Sequence, residues 1–237
     1  MSTLRIEGGD ERKHSAVPLR FVLHCAALVL VGVGLAGPAH AVSLYWVGAA
    51  GGNTSVASNW LTTNPTACGG GNAGAAPGST DIAIFDADCD NNAAIDANLN
   101  VAGIDLNTGY VGTVTQNTGV TVTVGSSNYV QAAGTFTGGN STIDLNGTFT
   151  LSGGTFTSTS GTFSVGTEGD GVTIFSMSGG SFAHNSGTFT CDHGSGGGHR
   201  LGTIDVVTSL TLNNLTINGV GNSDSCGVAT GDTLVVV

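Results

Sequence analysis

Residues 147–166 read GTFTLSGGTFTSTSGTFSVG, and residues 173–192 read TIFSMSGGSFAHNSGTFTCD. Laid over one another they agree at 9 of 20 positions. They set Phe149, Phe156 and Phe163 against Phe175, Phe182 and Phe189, 26 residues later in each case. Several mismatches are conservative, among them Leu151 with Met177 and Thr155 with Ser181. A fixed period of this length marks stacked repeats, in which neighbouring units bury a face that one unit could not bury alone. Inside a period the phenylalanines lie 7 residues apart, each within a Gly-Thr-Phe-Thr-like unit. Three short strands joined by Gly or Ser corners use 21 residues, which leaves about 5 of the 26 for one longer loop. This arithmetic predicts an all-β chain forming a right-handed parallel β-helix, a three-sided solenoid with a coil of about 26 residues. Side chains alternate along a strand, so inward phenylalanines place the flanking threonines outside. The competing fold is an antiparallel β-sandwich whose 7-residue units are hairpin arms.

The register extends in both directions. Upstream, a shift of 27 sets Val122, Tyr129 and Phe136 against Phe149, Phe156 and Phe163. Downstream, Phe189 leads to Leu215, and Leu201 falls where Phe175 would repeat, so about four coils are expected. Residues 112–124 (GTVTQNTGVTVTV) alternate at period two, a strand signal, and long amphipathic helical patterns are absent. The chain then divides into residues 1–41, a loop-rich N-terminal cap at 42–81, and a β-helix repeat domain at 82–237. Trp46 and Trp60 lie in the cap and are expected to plug the open end of the stack, since terminal repeats need an atypical cap. Carbohydrate stacking is the alternative for them. The last residues, DTLVVV, read as a strand, and an open β-helix end exposes an unpaired edge. The expectation is a fragment of a longer protein.

Residues 1–41 read as a secretory signal. Arg5, Arg12, Lys13 and Arg20 precede an apolar run at 21–35, and Ala39-His40-Ala41 fits a small-x-small cleavage site. A transmembrane anchor is the alternative, but the run is short for a bilayer and contains His24 and Cys25. Beyond residue 41 one arginine, Arg200, stands against 13 carboxylates, a formal balance of −12, and there is no lysine. Such a surface repels nucleic acid and anionic lipid heads, and no integral membrane segment is expected in the mature chain. Its four cysteines, Cys68, Cys89, Cys191 and Cys226, are even in number and exported, which favours disulfides over free or metal-binding thiols. Three connectivities exist, and the simplest pairs Cys68 with Cys89 and Cys191 with Cys226.

Residues 44–86 carry a W-x-G, N-W, P-G-x-x-D-x-A-x-F pattern: Trp46/Gly48, Asn59/Trp60, Pro77/Gly78, Asp81, Ala83 and Phe85. This resembles the opening of bacterial surface β-helix proteins related to autotransporter passengers, and the later GTFT units resemble their repeats. The resemblance covers nearly all of the mature chain. It implies an architecture, an exported adhesin-like surface role and no catalytic residues. Residues 42–237 contain no stretch that reads as the C-terminal membrane barrel of autotransporters.

Chemistry is expected where the longer loops fall on one corner: residues 138–146, 166–172 and 192–200. These hold Asn140 and Asp144, then Glu168 and Asp170, then Asp192, His193, His199 and Arg200, with Cys191 just before. Read as a cation or ligand site, the corner offers His193 and His199, with Asp192 or Cys191, to a borderline metal ion. Read as an enzyme, Asp192-His193-Gly194 is superficially similar to the histidine motif of polygalacturonase-like hydrolases. The clustered aspartates and the Arg-x-Lys element of those enzymes are missing here. A solvated polar loop is the reading preferred over both. Asp86, Asp88 and Asp90 alternate in a way that suggests calcium, but Asn91 and Ala97 occupy the EF-hand positions that need Gly and Glu. A weak surface calcium site is what remains of that idea, and no other cofactor is expected.

Outward Thr-x-Thr pairs (Thr135/Thr137, Thr148/Thr150, Thr155/Thr157, Thr188/Thr190) resemble the threonine arrays of β-helical ice-binding proteins. They are expected to be distributed over several faces, where strand propensity alone explains them. The function expected from all this is a non-catalytic exported structural or adhesive segment that meets a glycan or protein ligand through its walls and loops. The alternative is a polysaccharide-active enzyme or a carbohydrate-binding module on the same scaffold.

Overall fold

The computed structural model describes residues 42–167, 169–193, 201–219 and 225–237. Residues 1–41, with the expected signal, lie outside them, as do Glu168, His199 and Arg200. The described chain is a β-solenoid of about six coils, with parallel strands stacked in three walls and a single 3-10 turn at Ala57–Asn59. Among the described residues one ladder is antiparallel, Ser43–Trp46 against Trp60–Leu61, so the sandwich alternative fails. No helix there is long and apolar enough to cross a membrane.

Wall A is nine-stranded. Its central ladder runs Ala83, Ile104, Tyr129, Phe149, Phe175 and Ile204. Wall B is six-stranded and stacks Val114, Phe136, Phe156 and Phe182. Wall C, also six-stranded, stacks Val122, Ile143, Phe163, Phe189 and Leu215. These residues point inward and, apart from the half-buried Phe182 and Leu215, are buried. Phe136 and Phe156 stack at 4.9 Å, Phe156 and Phe182 at 5.7 Å, and Phe149 and Phe175 at 4.6 Å between ring centroids. Burial of each ring is worth about 2–3 kcal/mol, and an aromatic neighbour adds about 0.5–1.5 kcal/mol.

The 26-residue spacing of the six phenylalanines holds, but it is local. Tyr129 pairs with Phe149, only 20 residues on, and Phe136 pairs with Phe156. Val122 reaches Phe163 through Ile143. The shift of 27 is therefore wrong by one side of the triangle, and the average coil is about 24 residues. Three nearly equivalent 7-residue sides make such a slip invisible, because the inward/outward alternation survives it. Downstream, Phe175 meets Ile204 and not Leu201, because the chain between walls C and A is longer there and the pairing carries a bulge after Thr173. The stretch 82–130 stacks in register like the rest.

Glycine at the corner entering wall B sets the coil height. Gly154 has φ +74, and a Cβ there would collide with the Gly134 carbonyl, so only glycine allows this close coil-to-coil approach. Corner asparagines bind adjacent coils: Asn92, Asn98 and Asn128 each accept a backbone N–H from the next coil and Asn140 one from the coil before, all at 2.8–2.9 Å. Two glutamines lie inside. Gln131 accepts the Tyr129 hydroxyl at 2.8 Å and donates to the carbonyls of Gly134 and Thr155, while Gln116 serves Val120 and Thr142.

At the N-terminal end Trp46 and Trp60 are fully buried, 5.3 Å apart edge to face, and both contact Phe85. Their indole N–H groups donate to Asn91 O and Thr54 O, which leaves neither ring open to a sugar. The disulfides pair Cys68 with Cys89 and Cys191 with Cys226.

Candidate functional site

The C-to-A corner does gather chemistry, with a different membership from the expected one. Residues 138–146 are not a loop of that corner. They cross from wall B to wall C and include the strand Ile143–Leu145, so Asp144 stands on wall C itself. Asn140 lies on the opposite corner, where it accepts Gly119 N–H. The loops after Thr162–Val165 and Thr188–Asp192 do connect wall C to wall A.

A cleft of about 320 Å³ runs along this corner over successive coils, lined by Ser126, Asp144, Asn146, Gly166, Thr167 and Asp192. Burial raises the Asp144 carboxyl above the usual aspartate range. The Asn146 amide donates to it at 3.4 Å and pulls the other way, and the neighbouring Asp192 charge raises it further. Ser164 Oγ donates to Asp192 at 3.4 Å. Two carboxylates, an amide and hydroxyls thus face one opening, a set suited to a hydroxyl-rich ligand. Sequence reasoning placed Asp144 in a loop and gave Ser126 and Ser164 no role. The wall C register, Asp144 to Ser164, is the signal that joins those two, whereas Ser126 lies in the turn beyond Val122–Val124 and outside any ladder.

His193 does not join the cleft. It is fully buried, with Nε2 donating to Ser225 O at 2.9 Å and lying 3.8 Å from Cys191 Sγ. A Cβ on Gly202 would press on its ring at 2.7 Å, so the imidazole is wedged beside the disulfide. As metal ligands, His193 and Cys191 are thereby taken by the interior and His199 falls outside the described residues, as does the neighbouring Arg200.

The aspartate turn is also internally engaged. Asp86 Oδ1 accepts Asp88 N–H, and Asp90 Oδ1 accepts Val111 N–H from the next coil at 2.9 Å. Burial, the leading cause, raises the Asp86 carboxyl. Among the described residues no group of three or more His, Cys, Asp or Glu side chains is placed to hold a metal ion.

The threonines are less scattered than expected. Thr150 stands on wall A, and Thr188 and Thr190 on wall C. On wall B, however, Thr113, Thr135, Thr155 and Ser181 form one ladder, and Thr115, Thr137 and Thr157 form a second beside it. Thr113 and Thr115, part of the period-two stretch at 112–124, complete the array.

Compared with family models, with curated proteins and with solved structures, the chain finds no match. The reading of its function therefore stands on the geometry.

Proposed function

We propose that this chain is a non-catalytic segment of an exported surface protein, similar in plan to autotransporter passengers, with a structural or adhesive role. The supporting observation is where its acidic side chains go. Asp81, Asp90, Asp96, Asp170 and Asp232 each accept a backbone N–H from a turn or from a neighbouring coil. Together with two disulfides and the buried His193, most of the chemically versatile groups are spent on holding the coils. What remains outside is three walls of regular side-chain ladders, which suit binding over an extended area. The disulfides fit an oxidising compartment.

A second reading, a polysaccharide-active protein, draws on the corner cleft, where Asp144 with its raised pKa lies beside Asp192. A pair of carboxyl groups, one of them raised by burial, is what glycoside cleavage uses. The full chain tested on a glycan array, on immobilised extracellular proteins and in a hydrolysis assay on acidic glycans separates the two. Binding without turnover supports the adhesive role. Turnover abolished by Asp144→Asn overturns it.

A further inference from the structure

We propose that wall B is an ice-binding face, its ligand being the lattice of crystalline water. This deepens the reading that the walls are the binding surfaces, and it rests on it. The strands Thr113–Gln116, Thr135–Thr137, Thr155–Thr157 and Ser181–Ala183 pair without a bulge. Their outward residues therefore form a grid of two columns. Strands stack at about 4.8 Å, and alternate residues on one strand lie about 6.6 Å apart. These two perpendicular repeats are close to those of a prism face of ice.

The chemistry of the grid agrees with its spacing. A threonine hydroxyl both donates and accepts hydrogen bonds, as a lattice water does, whereas a carboxylate only accepts and an ammonium only donates. Among the described residues the grid's hydroxyls make one side-chain bond to one another, Ser181 Oγ to Thr155 Oγ1 at 3.2 Å, so the array faces outward for its partners. The methyl groups between them offer apolar surface that water must order around.

Charge sets this wall apart. None of the six strands of wall B carries an ionisable side chain. Wall A by contrast presents Asp105 and Asp205, and wall C presents Asp144. In a chain with a formal balance of −12 beyond residue 41, an uncharged wall selects an uncharged partner. Aromatic platforms, which sugars stack on, are missing from it, because Phe136, Phe156 and Phe182 all point inward.

The array is also fixed before contact. The stacked rings of Phe136, Phe156 and Phe182 lie directly beneath it. Threonine is stiff at χ1, so little side-chain entropy remains to be lost when a rigid lattice is met. A flexible surface of the same composition could not match many lattice sites at once.

The test follows ice growth in the presence of the full chain, by crystal shape and by thermal hysteresis. It compares wild type with Thr137→Lys and Thr155→Tyr on wall B, and with Thr150→Lys on wall A. Thermal melts confirm that each variant is folded, and two different wall B positions guard against one failing to fold. Shaped crystals and a hysteresis gap with wild type and with Thr150→Lys, lost in both wall B variants, are expected. Unaltered ice growth with wild type overturns the inference, and so does equal activity in the wall B variants. If the wild type then still binds a glycan or protein surface, the adhesive reading survives while the ice ligand falls. If it binds neither, both fall.

Discussion

Phe156 sits at the centre of the interior, fully buried, sandwiched nearly parallel between Phe136 and Phe182 and edge-on to Phe149. Removing the ring leaves a hole that rigid neighbouring coils cannot close. Phe156→Ala is expected to cost about 3–5 kcal/mol in urea unfolding, since large-to-small core changes combine lost transfer energy with a cavity. Phe182 provides the internal comparison. It is half-buried, at the edge where the wall B sheet ends, so Phe182→Ala should cost clearly less. Equal losses at the two positions, or a loss below about 1 kcal/mol at Phe156, would contradict the stacking described above. The same scale shows what sequence reading could reach. An inward phenylalanine between threonines is recoverable from alternation alone. Buried Gln131, bonded to Tyr129, Gly134 and Thr155, is not, because its role depends on which carbonyls the coil brings to it.

Among the elements, the strands and the stacked architecture were legible, because Gly-Thr-Phe-Thr combines a corner residue, β-branched residues and one inward ring in four positions. The pairing of the upstream coils was not. With sides of 7 residues, Val122 matches Phe149 as well as it matches Ile143, and only the structure decides for Ile143. For the same reason the cleft was half-legible: Asp192 was placed on the correct corner and Asp144 on the wrong element. The disulfides add a constraint that the ladders lack. Cys191 is the next-to-last residue of a wall C strand, and Cys226 lies in the last strand of wall A, 35 residues on, so the bond ties the final coils across the corner beside His193. Cross-links closing loops of this size typically contribute about 2–4 kcal/mol. Cys191→Ala combined with Cys226→Ala should therefore speed amide exchange in Leu201–Val206 and Ser225–Val228 while leaving Phe149–Leu151 protected. Uniform deprotection along the chain would show that the coils unfold as one unit, against the nearest-neighbour behaviour of stacked repeats.

Over the whole molecule, stability must contend with an excess of negative charge, and the direction of its pH dependence follows from three aspartates. Asp86, Asp105 and Asp144 are all raised above the ordinary value, in each case chiefly by burial. A raised carboxyl keeps its proton longer in the native state than in the unfolded chain. Below the ordinary aspartate range both states are protonated, and the group costs nothing. As pH rises through that range the unfolded chain ionises first and gains, so native stability falls until the native group ionises too. Above that point the penalty is complete and constant. Neutral solution is therefore where these groups cost most, and mild acidification should raise the melting temperature, helped by relief of the general repulsion among carboxylates. Asp144 isolates the effect, because Asp144→Asn removes the charge facing Asp192 while keeping the side chain's size. Thermal melts should show this variant more stable than wild type at neutral pH, with the gap shrinking as pH falls through the aspartate range. A gap that stays constant with pH would assign the gain to hydrogen bonding with Asn146 and not to charge. A variant less stable than wild type at neutral pH would mean that the cleft holds Asp144 ionised through a favourable contact stronger than its burial.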